Sequence, residues 1–161
     1  MTSVNALSGR SAGVRGPHVA ALLGLVLKRL RLEVLEDSER LFPGLRVSHF
    51  RLLELMPESG ARITDLAEIA GMTKQALGQH MDYLQERGYT ASERLPEDRR
   101  VRLVRRTAKG DEAVVFSQAA IGRVERQWRD QLGPERYDVF REAMLELGEP
   151  LIDDLRSLQE T

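Results

Sequence analysis

The sequence has no cysteine. Disulfides, thiolate catalysis and thiol-based redox sensing are thereby excluded, and a reducing cytoplasm is the expected setting. Long apolar runs are missing too. The run Val19–Leu27 is only nine residues, includes Gly24, and is too short to cross a bilayer. It follows Arg10 and Arg15 as a signal-peptide core would. However, no small-residue cleavage site comes after it, and KRLRLEVLEDSERLF continues a helical pattern instead. Histidine is scarce and scattered. His18, His49 and His80 have no ligand partner three or four residues on, so no metal is expected. Gly9-Arg10-Ser11-Ala12-Gly13 has the spacing of a serine nucleophile elbow, but that motif needs a strand before it and a helix after it. Here it lies in a glycine-rich, aperiodic stretch. A phosphate-binding glycine loop is likewise absent. With no acid/base pair, nucleophile or cofactor loop, an enzyme is not expected.

Net charge is also small, −1 over 161 residues. Averaged over its length, the chain does not look like a binder of nucleic acid. Its distribution of charge does. Between Arg94 and Lys109 there are seven bases (Arg94, Arg99, Arg100, Arg102, Arg105, Arg106, Lys109) and two acids (Glu97, Asp98), a local +5, which leaves −6 for the rest. A concentrated basic face on an otherwise acidic molecule docks on phosphate in one orientation, with an affinity that falls as salt rises.

The chain carries 42% apolar and 30% charged residues, ordinary for a soluble protein, and its length suits one compact domain or a small domain with dimerising extensions. Residues 1–16 read as a flexible tail. From Pro17, apolar residues at Val19, Leu22, Leu23, Val26, Leu30 and Val34 follow helical spacing and predict one long helix ending near Phe42, before Pro43-Gly44. A second helix is expected over Val47–Met56, stopped by Pro57. Thr64 is expected to cap a short helix, Asp65–Ala70, and Gly71 to make a turn. Thr73 then caps a helix to about Arg87, closed by Gly88. Leu77, Met81 and Leu84 form its buried stripe, leaving Lys74, Gln75, Gly78, Gln79 and Asp82 on the other side. Tyr89–Leu95 and Val101–Arg106 read as two strands around a Pro96–Arg100 tip. Thr107 caps a helix through Leu132. Gly133-Pro134 breaks it, and Gly148 and Pro150 are expected to kink or interrupt the last helix.

Two short helices joined by a glycine turn, followed by an arginine-tipped hairpin, are the pattern of a winged helix-turn-helix that places one helix in a DNA major groove. Gln75 and Gln79 share a face, and glutamine can bond bidentately to adenine. Lys74 can reach phosphate or guanine, and Gly78 lets the backbone come close. Arg99 and Arg100 at the hairpin tip suit a narrow minor groove, with Arg94 behind them and Asp98 orienting an arginine through a charge-assisted bond. The same residues would equally make a solvated helix face and a solubilising loop, and it is their adjacency that favours DNA. His80 is expected to pack beside the buried face. His49 could line a small-molecule pocket with Leu23, Phe50 and Leu53. Trp128 and Tyr137 read as core or interface aromatics. The terminal helices carry more apolar surface (Leu22, Leu23, Val26; Val114, Val115, Ile121; Leu145, Leu151, Ile152, Leu155) than so small a wing domain can cover. A second copy of the chain would cover it, and would present two reading helices about one helical turn, ~34–36 Å, apart.

The segment LAEIAGMTKQALGQHMDYLQERGYTASERLPEDRRVRLVRRTAKG resembles the MarR family of winged helix-turn-helix regulators, above all in the P-x-D-R-R wing followed by a strand and T-x-K-G. The resemblance extends over roughly residues 18–158 through the order of helices. It implies a homodimer built from terminal helices, binding a pseudo-palindromic operator, usually as a repressor. It also implies a reading helix at Thr73–Gln79 and an Asp-x-Arg wing at Asp98 and Arg100. In many members a small, often aromatic or phenolic, ligand between the dimer helices and the DNA lobe causes release. Two departures stand out. Arg106 replaces a common leucine, which predicts a more exposed or more basic strand end, and Gly148-Glu149-Pro150 falls within a usually continuous helix.

These observations give a mainly α chain with a small β-wing. Its winged helix-turn-helix DNA-binding region spans 46–107, flanked by a helical dimerisation region at 17–45 and 108–161. The expected function is that of a cytoplasmic, sequence-specific, homodimeric transcriptional repressor without cofactor. The alternative is a winged-helix protein-interaction module that does not touch DNA.

Overall fold

A computed structural model describes residues 16–36, 38–94 and 98–159, with side chains as far as Glu149. The expected tail at 1–15, the tip residues 95–97 and the side chains of Leu151, Ile152 and Leu155 lie outside the described residues.

The first helical stretch divides. Helix α1 spans Val19–Glu36 and a short α2 spans Ser38–Leu41, in place of the single helix expected to reach Phe42. A local competitor accounts for a break at this point: the Ser38 hydroxyl donates to the Leu35 carbonyl at 3.0 Å, drawing the chain out of regular helical pairing. Pro43 and Gly44, the latter at φ 80°, then turn the chain into α3, Val47–Leu55. Helix α3 buries Phe50, Leu52 and Leu53. Phe42 meets Phe50 edge-on at 6.0 Å and lies 5.2 Å from Phe116.

A two-residue strand β1, Ala61–Arg62, unanticipated from the sequence, leads directly into α4, Ile63–Ala70. Because Arg62 is extended and is itself the N-cap, α4 starts two residues before the expected Asp65. Thr64 is therefore inside the helix, where its hydroxyl donates to the Asp65 carboxylate at 2.9 Å instead of capping. Gly71 takes the left-handed conformation (φ 64°) and ends α4, a position where a Cβ would be strained. Thr73 caps α5, Lys74–Glu86, its hydroxyl accepting the Ala76 amide at 3.2 Å. The apolar stripe Leu77, Met81 and Leu84 is fully buried.

Strands β2 (Thr90–Arg94) and β3 (Arg102–Arg106) pair antiparallel, Thr90 with Arg106 and Arg94 with Arg102. β1 adds to the far side of β3 through Ala61 and Val104, giving the order β1-β3-β2. Thr107 caps α6, Ala108–Leu132, as expected, and α7 runs over Pro134–Gln159. Helix α7 passes through Gly148 and Pro150 without a break, contrary to the interruption expected there. A proline removes only its own amide from the ladder, and the neighbouring bonds suffice to continue the helical path.

One core gathers Phe42, Leu45, Phe50, Leu53, Leu66, Leu77, Met81, Leu84, Tyr89, Val104 and Ala113 from α3, α4, α5, the sheet and α6. The terminal helices share little of it. In α1 only Val34 is buried, while Val19 and Leu25 are 70% and 55% exposed, and on α7 Val139 and Leu147 are 67% and 77% exposed. Tyr137, by contrast, is buried, as expected of a core aromatic.

Candidate nucleic-acid interface

Capping and the buried stripe fix the rotation of α5 and so determine what it shows to solvent. Lys74, Gln75, Gln79 and Asp82 are exposed, and Gly78 is half-buried with open space where a Cβ would stand. A groove of about 430 Å³ opens beside this face. It is lined by Arg62 and Thr64 at the start of α4, by Lys74, Gln75 and Gly78 of α5, and by Arg100 and Arg102 of the wing. Lys74, Gln75, Gly78 and Arg100 were singled out in the sequence; Arg62 was not. Its signal was the unrecognised β1, which pairs with β3 and so carries an arginine to the side of the wing.

The seven bases around the wing are not one free cationic patch. Arg94 donates to the Arg99 carbonyl at 2.6 Å and so shapes the tip. Arg102 forms an ion pair with Asp82 at 2.7 Å and donates to Gln85 at 3.1 Å, bracing the wing against the reading helix. Arg105 pairs with Glu93 across the strands at 3.3 Å. Lys109 donates to the Arg87 carbonyl at 2.9 Å and lies over the Tyr89 ring. The guanidinium groups of Arg99 and Arg100 have no partner among the described residues. Asp98 accepts the Arg100 backbone amide at 2.9 Å, so it orders the turn rather than gripping a guanidinium as expected.

Arg106 corrects the expectation of an exposed basic strand end. It points inward, pairs with Asp111 at 2.6 Å, and donates to the Leu53 carbonyl at 2.9 Å and to the Met56 carbonyl. Those carbonyls are orphans at the end of α3, and one guanidinium serves both. Next to it the T-x-K-G sequence makes a joint. Thr107 donates to the Gly88 carbonyl at 2.6 Å and also caps α6. A Cβ on Gly110 would collide with the Tyr89 carbonyl. The end of the reading helix is thus fastened to the start of α6.

The residues expected to line an effector pocket do not share one surface. Phe50 and Leu53 are closed into the core, and Leu23 lies open on α1. His49 is buried, its ring stacked on Tyr83 at 4.6 Å and edge-on to His80 at 5.2 Å, with Nδ1 accepting the Arg46 amide at 3.1 Å. Burial, with His80, Arg46 and Arg87 nearby, lowers its pKa to about 4, so the ring is neutral at pH 7. Among the described residues no cluster of histidine and carboxylates suits a metal, and no helix is long and apolar enough to cross a membrane.

A helix-turn-helix braced to an arginine-tipped wing, between long terminal helices, defines the winged helix-turn-helix class. Residues 44–101, which hold the helix-turn-helix and the wing tip, match the model of the MarR family. No curated protein matches the sequence. Among solved structures the chain is similar to a crystal structure of MarR, with a TM-score of 0.72 and 21% identity, over 83% of this chain and 97% of that one. Streptococcus pneumoniae FabT in complex with DNA gives 0.69 and 16%, over 83% and 94%. A mutant MarR from E. coli complexed with operator DNA gives 0.66 and 16%, over 80% and 91%. In sequence over the matched segment, and in fold over most of its length, the chain is a MarR-family winged-helix regulator.

Proposed function

We propose that this chain is a sequence-specific, duplex-DNA-binding transcriptional repressor that works as a homodimer in the cytoplasm. One observation carries the reading: the polar face of α5 and the unpartnered guanidinium of Arg100 converge on a single groove. In this reading Gln75 and Gln79 take base edges in the major groove, and Thr73, Lys74 and Gly78 bring the helix to the backbone. Arg99 and Arg100 enter the adjacent minor groove, where a planar, weakly hydrated cation is favoured. Arg94 and Asp98 hold the tip in shape for that insertion. The exposed apolar faces of α1 and α7 support the dimer, since a second copy would remove them from water. Two relatives of the same fold were crystallised with DNA. Repression, and release by a small aromatic or phenolic effector near His49, extend the family resemblance and rest on it alone.

Selection of bound duplexes from a random pool, paired with sedimentation of the free protein, tests the proposal. A two-fold-symmetric motif and a dimer are expected. No enrichment, from a protein that sediments as a single chain, would overturn it.

A further inference from the structure

A second cavity, of about 280 Å³, lies where no wing residue reaches. Arg31 of α1 and Arg46 and Arg51 at the start of α3 stand around it, and Leu52, Ala70 and Met72 make its apolar floor. All three arginines are exposed, and none forms an ion pair with a described residue. Three like charges on one small cavity repel each other. They are tolerated in water and become favourable only when an anion sits among them.

The position of the cavity says which anion. Its wall ends at Met72, next to Thr73, the cap of the reading helix, whereas the 430 Å³ groove begins at Lys74 and continues to the wing. The two cavities share no lining residue, and together they flank the first turn of α5. A major groove ~12 Å wide is bounded by a phosphate backbone on each side. A helix lying in it therefore needs cations on both flanks, and the wing supplies only one.

We infer that Arg46 and Arg51, with Arg31 behind them, form a second phosphate grip that holds the DNA backbone on the flank of the reading helix away from the wing. The inference rests on the DNA-binding function proposed above. The grip adds affinity without sequence information, because phosphate carries none.

The test uses the full chain and measures affinity for a selected operator and for random duplex over a range of salt. Arg46→Gln/Arg51→Gln should flatten the salt slope by about 2, since each phosphate contact contributes roughly 0.9. Operator and random duplex should weaken alike, and the selected motif should stay the same. Arg46→Lys/Arg51→Lys should restore the slope, which separates loss of charge from loss of fold. Should the double glutamine variant fail to fold by circular dichroism, Arg51→Gln alone should lower the slope by about 1. An unchanged slope in a folded variant overturns the grip while leaving DNA binding intact. If the unaltered protein shows no salt-dependent binding to duplex, the parent function falls and the grip with it. An unchanged slope together with inorganic phosphate bound by the unaltered protein and not by the variant would assign the cavity to a free anion instead.

Discussion

Arg106 Nε lies 2.6 Å from Asp111 Oδ1, joining the last residue of β3 to the first turn of α6. The same guanidinium also receives the carbonyls of Leu53 and Met56, so three segments meet on one side chain. Arg106→Leu should therefore destabilise the fold, by about 1–3 kcal/mol for the polar groups left unpaired. Lysine, with one nitrogen, cannot serve all three sites and should rescue little. Urea unfolding of both variants, with Asp111→Asn to complete a double-mutant cycle, checks this. A change under ~0.5 kcal/mol in both would refute the staple.

Two glycines should respond in opposite ways. Gly110→Ala places a methyl against the Tyr89 carbonyl and should cost roughly 1–3 kcal/mol of stability. Gly78→Ala meets nothing within 4 Å and should leave stability unchanged or raise it by up to ~1 kcal/mol. It should nevertheless weaken operator binding, because the new methyl faces the duplex. Thermal melts beside operator titrations separate the two effects.

On the DNA face, Gln79→Ala should cost about 1–3 kcal/mol on the selected operator and nothing on random duplex. Arg100→Ala should cost at least ~1 kcal/mol and reduce the salt slope. If titrations of both variants match the parent, the roles given to these side chains are wrong.

His49 gives the fold a dependence on acid. Its folded pKa, about 4, lies below the ordinary 6.5, so below pH 6.5 the unfolded chain binds more protons at this site. The stability this ring contributes is complete above pH 6.5 and is lost as pH falls towards 4, by at most ~1.4 kcal/mol per pH unit. The melting temperature of the parent should fall faster than that of His49→Phe between pH 6.5 and 5, before most carboxylates titrate. Parallel curves would show that His49 is not the group responsible.

Substituting Leu25 by Glu on the open face of α1 should raise the monomer fraction and, with it, the concentration needed to fill an operator. Sedimentation equilibrium measures the first and a titration the second. A dimer of unaltered strength would move the interface elsewhere.

What the sequence disclosed follows the range of each signal. Thr73, Gly71, Gly88 and Thr107 mark helix ends through bonds a few residues long, and those ends stand where they were expected. The Leu77, Met81 and Leu84 stripe set the rotation of α5 by periodicity alone. β1 stayed hidden because two residues have no period, and with it went Arg62 and the true start of α4. The wing misled in another way. Charge could be counted, but the partners of Arg102, Arg105 and Arg106 are Asp82, Glu93 and Asp111, on three different elements. Of the effector pocket expected around Leu23, His49, Phe50 and Leu53, the sequence supplied apolar character but not depth, and two of the four proved to be core.

The bonds from Thr107 to Gly88 and from Lys109 to Arg87 leave α5 and α6 no independent hinge. Each subunit then behaves as a lever with α6 as its shaft. In a dimer, a few degrees of rolling between the two shafts would change the reach of both tips at once. Any molecule that wedges or clamps the shafts would control the operator from a distance without touching a base.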